Sequence, residues 1–422
     1  KYYVDGTPRF RDVDFAKTVG KSGNAAPDWR SIVVGGLGKG GRGYYALDLT
    51  TTTGSEAQIA SKVLWEFPNS ATDATLKANI GYSFGKPVIV KTKASGWVVL
   101  VTSGYNNGTN VGDSGGDGKG YLFVLNARTG ELIKAISTGV GTSGEPSGLA
   151  HISGYVEAED FDATVEYVYG GDLKGNVWRF DLTANTNQWK VAKLATLKDD
   201  AGDPQPITTE PQLAKPKING VFKRMVYVGT GQYMGDSDIA GVSGANSHAT
   251  QTQTMYGMID DLSTPSGTNA VIGDVRLDLQ EQTFSVNAAG EQIASANAIG
   301  TKKGWYIDMP VAGERINTHP ALAFNALAFT SNIPNADPCL PGGKSFFNVL
   351  DYRSGGFLEN STVAWSRMSL GDALASRAVL VKLPSGKVRA LARKSDATTV
   401  SIEVPVKVLP NSRRISWREL ML

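Results

Sequence analysis

Between Glu157 and Glu166 the sequence reads EAEDFDATVE, and its oxygen-bearing residues are spaced for chemistry. Asp160, Asp162, Thr164 and Glu166 fall at alternate positions. Calcium gathers about six to eight oxygens, from carboxylates and a backbone carbonyl spaced along a tight loop. The same residues also suit a solvated acidic turn between two strands. No Gly stands within the stretch to supply the sharp bend of a calcium loop. Both readings stand at this level.

Other candidate chemistry is thinner. DSGGDG, Asp113 to Gly118, mixes acid and Gly at short spacing, as calcium loops do and as polar insertions without metal also do. DDAGD (Asp199 to Asp203) and GDSD (Gly235 to Asp238) read as turns in which Asp bonds its own backbone. His151, His248 and His319 lie far apart, without metal-ligand spacing. There is no G-x-S-x-G elbow, and Cys339 sits in a Pro-rich turn, not a nucleophile motif. GLGKGGRG, Gly36 to Gly43, lies between two strands, so no helix N-terminus is available to hold a phosphate. It reads as a hairpin turn.

The elements that must carry these residues are strands. In a 422-residue chain, 41% hydrophobic and 19% charged residues are ordinary globular chemistry with ample core material. A net charge of +2 without a basic block argues against a nucleic-acid footprint. One cysteine makes no internal disulfide. No run of about 18 apolar residues offers a membrane-spanning helix. No stretch of this sequence reads as a signal peptide. The abrupt KYYVDG start suggests a piece of a longer precursor.

One pattern recurs. An apolar strand ends in Gly-Gly or Thr-Gly, a turn follows, and an aromatic strand ends in Asp or Asn. The copies are Ser31 to Thr50, Trp97 to Glu131, Glu166 to Thr183, Arg224 to Leu262 and, more weakly, Ala326 to Gly356. Short flanking strands such as KVLWEF, ELIKAIS and WKVAKLATL make four strands per unit. A spacing of roughly 60 to 100 residues with Gly and aromatic motifs reads as propeller blades. The expectation is an all-β modified β-propeller of six or seven four-stranded blades, some incomplete. RAVLVKLPSGKVRALARKS (Arg377 to Ser395) reads as a hairpin and RRISWREL as a last strand. Helical periodicity is scarce, and its best candidates are short pieces near Ala60 and Leu370. Three polar insertions, Asn106 to Gly118, Gly231 to Gln251 and Leu262 to Gly304, read as surface loops. The last carries a possible hairpin at VRLDLQEQTFSV.

GGDLKGNVWRFDL, with WRSIVVGGLGKGGRGYYALDLT and VYVGTGQYMGDSD…QTMYGMID, resembles the C-terminal propeller of the PilY/PilC family, pilus-associated proteins of Gram-negative type IV pili. The YYVDGTP opening and CLPGGKSFFNVLDYRSGG fit the same family, and the resemblance covers most of Lys1 to Gly356. It implies that 1–422 is a single C-terminal β-propeller domain whose parent carries a further N-terminal region. It implies roles in pilus biogenesis, in opposing retraction and in adhesion to host cells. Pilins or minor pilins and a host-cell surface receptor are the implied partners. The implied location is the outer membrane, cell surface and pilus, reached through the periplasm. It also implies a calcium loop, D-x-D-x-D-x-x-x-D, closing just before the YxGDLxGNxWRFDL strand. Carried over, its positions are Ala158, Asp160, Asp162, Thr164 and Glu166, which implies side-chain ligation by Asp160, Asp162 and Glu166 and a carbonyl from Thr164; Ala158 departs from the pattern and removes one carboxylate.

Two other functions fit a propeller. A quinoprotein-like enzyme would need a calcium-liganding acid, a base and an aromatic floor, and often adjacent cysteines, which are absent. A purely periplasmic assembly scaffold would need no host contact. The pattern also predicts that Trp178 is buried between blades, with Asp172 and Asp181 bracketing turns.

Overall fold

A short apolar run becomes a strand when its neighbours bury both of its faces, and WVVLVT shows how. The computed structural model describes residues 4–19, 26–69, 72–157, 162–263, 270–337, 342–359 and 361–406. These form two compact units. One lies within Lys1–Leu173 and Trp178–Ala192, the other within Lys174–Val177 and Lys193–Ile415.

The first unit opens with a four-stranded antiparallel meander of β1 (Arg9–Asp14), β2 (Trp29–Gly36), β3 (Tyr44–Asp48) and β4 (Val63–Phe67). A second meander follows: β5 (Val88–Thr92), β6 (Gly96–Thr102), β7 (Tyr121–Asn126) and β8 (Leu132–Ser137). The third sheet holds β9 (Ile152–Tyr155), β10 (Tyr167–Gly171), β11 (Asn176–Asp181) and β12 (Lys190–Thr196). Side chains alternate across a strand, so β6 sends Trp97, Val99 and Val101 to one core, with Val34, Ala46 and Phe67 of the first sheet. It sends Val98 and Leu100 to another, with Val168, Trp178 and Phe180 of the third. A strand buried on both faces reads as a continuous apolar run.

The second unit departs from four strands per sheet. Strands β13 (Gln212–Ala214), β14 (Lys217–Ile218), β15 (Val221–Phe222), β16 (Arg224–Gly229), β17 (Thr254–Asp260), β18 (Gln280–Gln282), β19 (Phe284–Val286), β20 (Gln292–Ala294) and β21 (Gly304–Asp308) come first. Then come β22 (Ala321–Ala323), β23 (Ala326–Pro334), β24 (Gly343–Asp351), β25 (Arg367–Gly371), β26 (Val379–Lys382), β27 (Val388–Arg393) and β28 (Thr399–Val404). They make a five-stranded sheet, β13-β16-β17-β21-β18, and a six-stranded one, β19-β20-β25-β24-β23-β22. A three-stranded sheet, β26-β27-β28, and the small ribbon β14-β15 complete it. The fold is all-β and propeller-like, as the repeats predict.

Every copy of the repeat supplies two adjacent inner strands of a sheet: β2–β3, β6–β7, β10–β11, β16–β17 and β23–β24. The Asp or Asn ending each second strand has one shared task. Its Oδ1 accepts the backbone N–H two residues on: Asp48 from Thr50, Asn126 from Arg128, Asp181 from Thr183, Asp260 from Leu262 and Asp351 from Arg353, at 2.8–3.0 Å. This turn lets the chain reverse out of the sheet without stranding an amide.

Two of these turns also take a tryptophan. The Trp65 indole donates to Ala127 O at 3.0 Å, and Trp305 donates to Tyr352 O at 3.3 Å. Each ring covers a glycine four residues beyond the turn's Asn or Asp. Gly130 (φ +71°) and Gly355 (φ +72°) adopt the left-handed region, and a Cβ there would lie 2.6 or 2.2 Å from the ring.

Three expectations need correction. VRLDLQEQTFSV is not a hairpin: Val275–Asp278 is a helical turn, β18 runs parallel to β21, and β19 pairs with β20. The Leu262 to Gly304 insertion is therefore the source of strands that enlarge two sheets. Its polar strands lie at or beside sheet edges, and an edge lacks the apolar signal of a central strand. Leu370 lies in β25, not a helix, because Arg367–Gly371 pairs with β24. The expected short helix near Ala60 is present at Glu56–Ala60. The predicted C-terminal hairpin is β26–β27, closed by Leu383 N–H to Lys387 O at 2.8 Å. RRISWREL and Cys339 lie outside the described residues.

Candidate metal centre

The acidic stretch connects β9 to β10. Ala158 and Asp160 lie outside the described residues. Asp162, Thr164 and Glu166 are brought together, lining one open hollow of about 330 Å³ with Lys93, Val165 and Thr183. The backbone there is anchored to β5. Lys91 N–H donates to Ala163 O at 3.0 Å, and Val165 N–H donates to Lys91 O at 2.8 Å. At the far end, Glu166 N–H donates to Tyr155 O at 3.1 Å and Glu166 O accepts Leu182 N–H at 2.9 Å.

The Lys91 ammonium pairs with Asp162 Oδ1, and the Thr164 hydroxyl donates to Asp162 Oδ2 at 2.8 Å. The hydrogen bond from Lys91 is the main cause that holds the Asp162 carboxyl below the ordinary carboxylate range; Thr164 adds to it, and the slight desolvation opposes it. Glu157, the alternative source of the oxygen that Ala158 lacks, accepts from the Tyr155 hydroxyl at 2.7 Å. Among the described residues, no three His, Cys, Asp or Glu side chains form a metal-holding group. Two hard carboxylates and a threonine around one open hollow are the donor chemistry calcium takes. Asp162, Glu166 and the Thr164 carbonyl would hold it.

The second acidic loop has its own internal donors. Asp113 accepts from Asn106 Nδ2 at 2.9 Å and from Asn110 N–H at 3.1 Å. Asp117 accepts from Lys119 N–H, Lys119 Nζ and the Tyr121 hydroxyl at 3.0, 3.1 and 2.7 Å. Burial pushes the Asp117 carboxyl up, but Tyr121 and Lys119 outweigh it and hold it low. Asp199 and Asp203 form the expected turn, with Asp203 N–H on Asp199 Oδ1 at 2.9 Å. Two of the histidines make structural hydrogen bonds. His319 Nδ1 accepts Glu210 N–H at 2.9 Å, and His248 Nδ1 meets Gln251 Oε1 at 2.8 Å.

A family model described as the PilY1 β-propeller domain matches residues 1–297. The chain is 31% identical over 403 residues to a type IV pilus biogenesis factor PilY1 homolog of Xylella fastidiosa, covering 88% of this chain and 24% of that protein. It is 30% identical over 398 residues to the type IV pilus biogenesis factor PilY1 of Pseudomonas aeruginosa PAO1, covering 84% of this chain and 31% of that one. This chain belongs to the PilY1 family. It spans about a quarter to a third of the length of these relatives. The crystal structure of the P. aeruginosa PilY1 C-terminal domain shares its fold, with a TM-score of 0.69 at 23% identity over 96% of this chain and 84% of that one.

In this PilY1-family domain the Gly231 to Gln251 insertion is a built loop. Asp238, 2% exposed, accepts from Gln232 Nε2 at 2.6 Å, Met234 N–H at 2.7 Å, Gly235 N–H at 3.3 Å and Asn246 Nδ2 at 2.6 Å. Buried Arg315 donates to the carbonyls of Gly313, Gln232, Asp238 and Ala249. Burial pushes the Asp238 carboxyl up, yet these four donors outweigh it and keep it below its usual value.

A carboxyl lowered on folding stabilises above its unfolded value and loses that contribution as pH falls through the folded one. Asp238→Asn should cost about 2 kcal/mol at neutral pH. The gap to wild type should narrow below about pH 4. Urea unfolding at both pH values checks this; a constant gap would detach Asp238 from the acid response. Sequence reading found GDSD as a turn but missed its hub. Arg315 and Lys91 carried no local signal, because their partners lie far away in the chain.

Proposed function

We propose that this chain is the C-terminal propeller domain of a type IV pilus biogenesis factor, exported through the periplasm to the outer membrane, cell surface and pilus. The carrying observation is its 30–31% identity, over 84–88% of its length, to proteins bearing that name. In this reading the domain binds and does no catalysis. It engages pilins or minor pilins and opposes retraction, and its parent adheres to a host-cell surface receptor. The Gly231 to Gln251 loop supports a binding role. Its backbone is pre-ordered by Asp238 and Arg315, while Tyr233 and Met234 are 36% and 46% exposed. A pre-ordered loop loses little entropy on docking. Calcium at Asp160, Asp162, Thr164 and Glu166 regulates it weakly, since Ala158 removes one charged ligand and ligand charge tunes affinity.

The test is to delete this segment from its parent in the source organism and weigh the pili sheared from the surface. Surface pili should fall several-fold and recover when the retraction motor is also removed. Unchanged piliation would overturn the proposal. Loss without recovery would reassign the domain from opposing retraction to assembly. Asp160→Ala with Asp162→Ala, in the same assay, should reproduce part of the loss.

A further inference from the structure

We infer that Lys91 is the resident cation of the Asp162–Glu166 segment, an ammonium from a neighbouring strand that orders this segment without a metal. The idea rests on the calcium reading only for what the ammonium competes with; the ordering itself stands on geometry. Both oxygens of Asp162 are already taken, Oδ1 by Lys91 and Oδ2 by Thr164. Lys91 is also the residue whose backbone carries both hydrogen bonds that anchor the segment to β5. Backbone and ammonium therefore act at one place, and Lys91 and Thr164 are held opposite each other as a parallel bridge.

The ammonium is not a free surface charge. It lies 6.0 Å from the centroid of the buried Trp97 ring, and the Lys91 side chain is 26% exposed. That contact limits the rotamers it would otherwise lose on pairing. Asp162 stays 50% exposed, so an ion in solvent can reach it. A divalent cation entering the hollow must displace Lys91 from Oδ1 and enter beside Lys93, which lines it. In this chain an internal single charge thus neutralises the Asp162 carboxylate, which lines the same hollow as Glu166.

The experiment measures amide hydrogen exchange at Val165 by NMR, with the β7 amides as reference, alongside a calcium titration by calorimetry. The proteins are wild type, Lys91→Met and Lys91→Arg. Without calcium, Val165 exchange should quicken about two- to fivefold in Lys91→Met, as losing a half-exposed pair predicts. Lys91→Arg should keep wild-type protection, and the β7 amides should not change. Equal Val165 protection in all three proteins overturns the inference, whatever the titration gives. The titration decides the calcium reading separately. If Lys91→Met loses protection while no protein takes up calcium, the resident cation stands and the calcium reading fails. If Lys91→Met binds calcium more tightly than wild type and regains protection with it, both stand.

Discussion

Replacing Arg367 with methionine will destabilise its unit by about 3–5 kcal/mol, because it strands a buried carboxylate. Arg367 and Glu314 side chains are both 0% exposed. The guanidinium grips both Glu314 oxygens, at 2.5 and 2.8 Å, and reaches Gln292 Oε1 at 2.6 Å and Asn348 Oδ1 at 3.2 Å. The Ser331 hydroxyl donates to Glu314 at 2.5 Å, and Asn348 Nδ2 donates to Ser331 at 3.0 Å. The Phe346 ring stacks on the guanidinium, with its centroid 3.6 Å away. Gln292 lies on β20, Ser331 on β23, Asn348 on β24 and Arg367 on β25, so the network ties four strands of the six-stranded sheet. Half a network is worse than none. Arg367→Met with Glu314→Leu should therefore be markedly more stable than Arg367→Met alone. Urea denaturation of the two variants decides it. A single variant within about 1 kcal/mol of wild type would mean that water reaches Glu314.

Trp178→Ala should cost about 3–5 kcal/mol, the range of large aromatic truncations in cores. Trp178 is 4% exposed and lies among Val98, Leu100 and Val124 of the second sheet and Val168 and Phe180 of the third. Its indole N–H donates to Asp172 Oδ2 at 2.8 Å, and Asp172 is 0% exposed. Trp178→Phe keeps most of the packing but removes that donor, and should fall between alanine and wild type at about 1–3 kcal/mol. Phenylalanine as costly as alanine would put most of the energy in the hydrogen bond. An alanine change within about 0.5 kcal/mol would place the ring outside the core.

The two predictions differ in how visible their residues were. Trp178 was predicted to be buried because the repeat puts it on the aromatic strand, and Asp172 and Asp181 were predicted to bracket turns. Asp181 does so through Thr183, while Asp172 also holds the indole. Nothing marked Arg367 or Glu314. A charged residue in a sequence reads as surface, and only a partner 53 positions away makes burial tolerable.

The sequence alone determined the family, the all-β class and an adjacent pair of inner strands in each of five sheets. Those features are local: side-chain alternation, a Gly-rich turn, and an Asp or Asn whose side-chain oxygen takes an amide only two residues on. The family resemblance singles out Asp162, Thr164 and Glu166 together, and the fold lines one hollow with all three. Tertiary structure alone decided the rest. It turned a polar insertion into added strands of two sheets, because strands at an edge satisfy their backbones without an apolar pattern. It put Lys91 on Asp162, because β5 and the segment before β10 are neighbours in space and not along the chain. Electrostatic pairing at a distance leaves no periodicity to read, so the cation that holds this acidic stretch was visible only after folding.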